Sequence, residues 1–377
     1  MKKRIVQAVV LVMLILTVLQ VPVVANEGTW TEMSPEDIPP SRLDANLVFD
    51  NGSDVAILFG GALGDGVRAG DTWAYSYESD EWTNMSPSVA PPARAFAQMA
   101  YDSGSDRVIL FSGAVTQEFH FNDTWAYDYD SNTWTNLSPP VMPSPRRYAS
   151  MEYDVESDRI ILFGGILGTG GTTGDTWAFD YDTNTWENMD PSSAPSARMY
   201  SVMAYDSESD RIILFSGCYP GVFTDTWAYD YNTNTWQNMN PSENPGAYPG
   251  SMVYDAEEDL CVTYVGAIDF DETQLTNESW AYDYDSNTWT EYTISTSPGV
   301  RTRGLLVYDH NSDVTILHGG LGLGRFDERL NDTWSFASQE PTTTPTNGGS
   351  VLLVDLILVT TGIAVVILVI VVFVRRR

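Results

Sequence analysis

The twelve tryptophans of this chain fall on one lattice. Six close a short phrase that returns about every fifty residues: Asp71-Thr-Trp73, Asp123-Thr-Trp125, Asp175-Thr-Trp177, Asp225-Thr-Trp227, Ser279-Trp280 and Asp332-Thr-Trp334. A period of this length marks one supersecondary unit copied in tandem, and such a unit cannot bury its apolar face without its neighbours. Repetition thus constrains the scaffold strongly and what the scaffold holds much less.

Within each unit the pattern reads as four short strands. In the second, Ala95 to Tyr101 is apolar, Asp102 to Asp106 turns, and Arg107 to Phe111 runs into Ser112-Gly113. A variable loop follows, then Thr124 to Tyr129 alternates aromatic with other residues, Asp130 to Asn132 turns, and Thr133 to Leu137 closes the unit. β-Branched and aromatic enrichment, with Asp, Asn, Ser and Gly at the turns, favours strands over helices. A further tryptophan stands nine residues after the first at Trp82, Trp134, Trp186, Trp236 and Trp289, but none follows Trp334. Trp30 precedes Trp82 by 52 residues, the step that separates Trp82 from Trp134. Thr29 to Met33 is therefore expected to supply the missing outer strand of the last unit and to close a ring.

An arginine, an apolar run with Tyr-Asp, a strand ending in Gly-Gly, Asp-x-Trp and the second Trp together resemble the kelch repeat over nearly all of residues 28–336. Gly60-Gly61, Gly164-Gly165 and Gly319-Gly320 match the diglycine. Ser112-Gly113, Ser216-Gly217 and Val265-Gly266 depart from it at the first position. The resemblance implies an all-β, six-bladed kelch-type propeller over 26–336, with Gly61, Gly113, Gly165, Gly217, Gly266 and Gly320 in its repeat core beside the tryptophans.

Both ends read as addressing segments. Residues 1–25 join a basic start to an apolar run and a Val-Val-Ala site, the form of a signal peptide. Residues 337–350 have the Thr, Pro and Gly content of a linker. Residues 351–374 are apolar apart from Asp355 and are expected to form a transmembrane helix, with Arg375, Arg376 and Arg377 as a cytoplasmic basic tail. This order places a single-pass protein in the cell membrane with its propeller extracellular. Between these ends stand 50 acids and 13 arginines, formally −37, with no lysine. Such an acidic protein excludes nucleic acid as a partner, since phosphates need the opposite sign. Two cysteines, Cys218 and Cys261, read as separate thiols rather than a disulfide.

Candidate binding residues come from the repeat and from its loops. Seven positions before the Tyr-Asp or Phe-Asp of a first strand stand Arg42, Arg94, Arg146, Arg198 and Arg301, with Ala247 in the fifth unit. The resemblance places them at a pocket mouth, where forked guanidinium donors suit carboxylates, sulfates or phosphates. Pairing with acids of neighbouring blades is the alternative. The variable loops add Phe119, His120, Tyr219 and Phe223 on the same face. On the opposite face the turns carry acids such as Asp154, Glu156 and Asp158, read as solvated turns or as a weak calcium site. No other cofactor is expected, and no catalytic constellation stands out.

The expected function is cell-surface recognition, adhesion or a protein-interaction scaffold, binding a protein or an anionic glycan through the loop face. A carbohydrate-active enzyme is one alternative, either a sugar-acid isomerase or a sialidase-like hydrolase built on Arg146, Arg198 and Tyr200. A structural envelope component is another.

Overall fold

Each side chain of the Asp-Thr-Trp phrase has a different partner, and together these partners assemble the molecule. The aspartate accepts the indole N–H of its own tryptophan, as from Trp73 Nε1 to Asp71 Oδ2 at 2.7 Å and from Trp125 to Asp123 at 2.7 Å. The threonine hydroxyl accepts the outer-strand tryptophan of the next unit. Trp134 donates to Thr72 at 2.9 Å, Trp186 to Thr124 at 3.1 Å, Trp236 to Thr176 at 2.9 Å and Trp289 to Thr226 at 2.9 Å. All of these indole-to-threonine bonds are buried, where an unmade partner would cost the full desolvation of the group.

The structure is a computed structural model describing residues 27–246, 248–267, 274–322 and 328–339, with the backbone of 354–361 and 364–371. Six antiparallel sheets follow one another along the chain. The first is ordered Asn46–Asp50, Val55–Phe59, Thr72–Ser76, Glu81–Asn84 from the inside outward, and the next four repeat this order. Each innermost strand contacts that of the following blade, and the sixth, Leu305–Asp309, contacts the first, so the ring is closed. Six apolar clusters lie between successive blades, the last joining Val307, Val314 and Ile316 to Leu47, Phe49 and Tyr75. The propeller's core is thus interfacial, as expected of a unit that cannot bury its own face.

Closure uses the chain's early strand. Glu27–Glu32 pairs antiparallel with Arg329–Gln339, placing Trp30 opposite Phe336 and Glu27 opposite Gln339. Trp30 is 1 % exposed, packs on Tyr264 and Phe336, and donates to Ser279 of blade five at 3.2 Å. Trp82 of blade one completes the circle by donating to Thr333 of blade six at 3.2 Å. The expected closure by Thr29 to Met33 is what the structure describes.

The diglycine serves close approach between blades. A Cβ on Gly60 would lie 2.6 Å from the Arg94 carbonyl of blade two, and the neighbouring Gly61 N–H donates to that carbonyl at 2.8 Å. Where serine replaces the first glycine, Ser112 takes the same left-handed conformation, φ 63°. Its hydroxyl donates to the Arg146 carbonyl at 2.8 Å, which compensates a conformation costly for a residue with a side chain. Cys218 and Cys261 are buried thiols and form no disulfide.

The C-terminal unit, 341–377, is distinct from the propeller unit. Here the helix expected over 351–374 is corrected: Val354–Thr361 and Ala364–Val371 pair antiparallel as a hairpin. Eleven of these sixteen residues are Val, Ile or Thr, whose branching at Cβ favours strands, and an unbroken apolar run has no periodicity to tell strand from helix. Among the described residues no helix is long and apolar enough to cross a membrane. The last propeller strand also continues to Gln339, three residues into the expected linker. The segment 1–25, Ala247 and the tail 375–377 lie outside the described residues.

Candidate functional site

The five arginines are not a ligand-facing ring. Each is at most 4 % exposed, and each forks onto the aspartate of its own blade's Asp-Thr-Trp phrase. Arg146 reaches Asp175 at 2.7 and 2.9 Å, the Gly164 carbonyl at 3.0 Å and the Ser144 carbonyl at 3.0 Å. Arg42, Arg94, Arg198 and Arg301 repeat this with Asp71, Asp123, Asp225 and Asp332. Four of five guanidinium N–H groups are thereby used, within a blade rather than between blades. The blade whose sequence has Ala247 in the arginine's place also lacks the aspartate: Glu278 accepts the indole N–H of Trp280 at 3.0 Å. Burial alone would raise the pKa of Asp71, Asp175, Asp225 and Asp332, but hydrogen bonds and attraction from their arginines outweigh it and hold these carboxyls below the usual range.

Two residues beyond each arginine the chain opens onto the channel mouth. Asp44, Phe96, Tyr148, Tyr200 and Arg303 occupy this position in five blades, all with φ between 55 and 64°. Left-handed backbone in bulky residues is strained and concentrates at functional places. The aromatic rings stack, Phe96 on Tyr148 at 4.6 Å and Tyr148 on Tyr200 at 4.1 Å between centroids. Arg303 lies over Tyr200 at 5.6 Å and reaches Asp44 at 3.2 Å, completing an arc around the opening. Burial and Asp44 raise the Tyr200 hydroxyl well above its usual pKa, and Tyr148 is pushed up to about 12, again first by burial. With Arg146 and Arg198 bound to Asp175 and Asp225, the residues of the sialidase-like alternative do not form a common anion pocket.

The variable loops are clipped to this mouth by single β-bridges, Leu43 to Ala62, Ala95 to Ala114 and Met199 to Cys218 among them. Phe119 and Tyr219 are the exposed aromatics expected there, at 55 and 50 %. Phe223 instead covers the Arg198 guanidinium at 4.1 Å, and Phe121 covers Arg94 at 3.8 Å. His120 lies against Gly168 of the next blade's loop, with neither ring nitrogen hydrogen-bonded and its pKa lowered by burial and then by Arg147. Among the described residues, Arg68, Arg147 and Arg329 make no ion pair, and each leaves a buried Nε–H without an acceptor. Arg68 stands 5.6 Å from the Phe96 ring, and Arg147 5.4 Å from that of Tyr148.

Below the mouth runs a channel of about 550 Å³ lined by all six inner strands. Val48, Ala100, Glu152, Ala204, Val253 and Val307 are equivalent positions in its wall. Burial pushes the Glu152 carboxyl up to about 7. His318 is not a site residue: buried, with its pKa lowered to about 3 by burial and then Arg42, it packs on Trp82 and meets Thr333 Oγ1 at 3.1 Å. At the far end Asp50, Asp102, Asp154 and Asp206 each accept a backbone N–H from the serine three residues on, at 2.9 to 3.0 Å. These carboxylates shape their own turns.

Comparison with known proteins agrees with this architecture. A family model described as the Attractin/LZTR1 beta-propeller matches residues 108–320, more than half of the chain, and one described as the KLHDC2/KLHL20/DRC7 Kelch-repeats domain matches residues 19–193. The chain is 28 % identical over 183 residues to the dynein alpha chain of the flagellar outer arm of Chlamydomonas reinhardtii, covering 43 % of this chain and 4 % of that protein. It is 26 % identical over 201 residues to an F-box/kelch-repeat protein of Arabidopsis thaliana, covering 49 % and 40 %. Against dynein regulatory complex subunit 7 of Chlamydomonas reinhardtii it is 31 % identical over 112 residues, covering 29 % and 10 %. The matched part spans no more than 40 % of any of these relatives. Six blades with paired tryptophans, five of them with the buried arginine and three with the diglycine, together with these matches, show that the chain belongs to the kelch-repeat β-propeller family.

Proposed function

We propose that this protein is an interaction scaffold whose loop face docks an acidic segment of a partner protein. The observation that carries this reading is the placement of unpaired positive charge. In a propeller that is otherwise strongly acidic, Arg68 and Arg147 have no carboxylate partner among the described residues and stand against the stacked rings of Phe96 and Tyr148. Guanidinium groups held on aromatic faces are pre-organised forks for carboxylates. Exposed Phe119 and Tyr219, on the loops of blades two and four, supply apolar anchors on the same face. An anionic glycan is the competing ligand, and its capture in place of peptide would replace this reading.

We further propose a cell-surface location, on the sequence grounds of the export-signal form of residues 1–25 and the apolar run of 351–374. Resistance of the protein to extraction from membranes by alkaline carbonate tests that location.

Docking is tested with immobilised glutamate-rich peptides and the full chain. Arg68→Glu with Arg147→Glu should weaken capture at least tenfold, while Glu187→Arg on an outer strand should leave it unchanged or raise it slightly. Equal capture by the double variant and the parent refutes the site.

A further inference from the structure

The channel carries a charge that the loop-face reading does not use. Of its lining residues, Asp44, Glu152 and Arg303 are formally charged at neutral pH. Asp44 and Arg303 neutralise each other at the mouth, at 3.2 Å. Glu152 makes no ion pair among the described residues, and its Oε1 accepts the Tyr153 N–H at 3.2 Å. In the other five blades the equivalent position is Val48, Ala100, Ala204, Val253 or Val307.

A carboxyl inserted into a ring of small apolar residues costs desolvation that a sixth valine or alanine would avoid. Departures of this kind, where a repeat otherwise agrees with itself, mark functional positions. The surroundings define what complements the carboxylate. Toward the loop face stand Asn46, Gln98 and Ser150, then the aromatic stack, four residues or about 13 Å above Glu152 at about 3.3 Å per residue. Toward the turn face Phe49, Tyr101, Tyr153, Tyr205, Tyr254 and Tyr308 ring the wall. A hard metal ion needs six or more oxygens, which one carboxylate among aromatic and aliphatic walls does not offer. Among the described residues, no group of three ligating side chains occurs. An ammonium on an apolar body needs what is present: one counter-charge, π faces and a few hundred cubic ångströms of space. On the turn face Asp106, Asp158, Asp210 and Asp313 accept the hydroxyls of the lining Tyr101, Tyr153, Tyr205 and Tyr308, and their charge draws cations inward.

We propose that the propeller channel is a binding site for an organic ammonium, with Glu152 as its counter-ion and the aromatic collars as its walls. The shared chemistry has two sources, a free small amine or a lysine side chain. The channel site shares the Phe96 and Tyr148 rings with the loop-face docking surface but not its charged groups, and Glu152→Gln leaves Arg68 and Arg147 in place, so either stands if the other fails.

Calorimetric titration of the full chain at pH 8 with benzylammonium, with uncharged benzyl alcohol and with Nα-acetyl-lysine amide tests it. At least one ammonium should bind, benzyl alcohol should not, and Glu152→Gln should weaken the ammonium at least tenfold. Binding of benzylammonium alone identifies a small amine as the source; binding of the lysine derivative alone identifies a side chain. Val48→Phe, which narrows the channel and leaves the carboxyl in place, should also abolish binding, and it serves if the Gln variant fails to fold. Equal binding of benzyl alcohol, undiminished binding by Glu152→Gln or Val48→Phe, or no binding by either ammonium overturns the proposal.

Discussion

At the scale of residues, two kinds of charge are built into the ring, one compensated and one not. The Arg146–Asp175 fork is compensated: the arginine is almost wholly buried, and the carboxylate also holds the Trp177 indole at 2.7 Å. Removing one member leaves a buried cation alone, so Asp175→Asn should destabilise the protein by about 3 kcal/mol in denaturant titration, whereas replacing both partners by apolar residues should cost less. Glu152 is the uncompensated case. Its folded pKa, about 7, lies above its usual 4.5, so this group favours the fold most below pH 4.5, and that contribution is lost as pH rises through 7. Glu152→Gln should therefore flatten the stability profile between these values and exceed the parent at pH 8 by about 2 kcal/mol. Melting temperatures at pH 4.5 and 8 check the sign. A parent that gains stability over this range relative to the Gln variant would contradict it.

At the scale of elements, the closing strand is the piece with most at stake. Trp30 fills the slot between blades five and six against Tyr264 and Phe336, and no later residue replaces it. Trp30→Ala should cost about 3–5 kcal/mol, the range for emptying a large aromatic site. Because the vacancy sits at the ring's seam, limited proteolysis should cut within blade six before blades two to four; uniform cleavage would show that the seam is no weaker than the rest. Blades and seam were legible in the sequence because one side chain, the outer-strand tryptophan, repeats with its partner threonine. The arginine ring was legible as a pattern but not as a role. Its position implied the mouth, and the partner lay 29 residues on in the aspartate of the same phrase, as with Arg42 and Asp71. The segment 351–374 was legible as apolar, while its branched residues select the hairpin described.

At the scale of the whole molecule, repetition hides what departs from it. The position two beyond the arginine holds Asp44, Phe96, Tyr148, Tyr200, Pro249 and Arg303 in turn, and this variation at a fixed phase is the trace that sequence reasoning missed. Glu152 among valines and alanines is a second such trace. Both become sites only once the ring brings six distant segments to one axis. The pairing of Glu27 with Gln339 also bears on mechanics. Since the chain enters and leaves the wheel at the same end of one antiparallel ladder, a load drawn between its two ends opens that ladder from its tip, together with the short parallel pairing of Glu27 and Gly28 to Thr293 and Ile294. Such a clasp peels open under tension long before a sheared ladder would yield, and blades one to four bear little of the pull until it has parted.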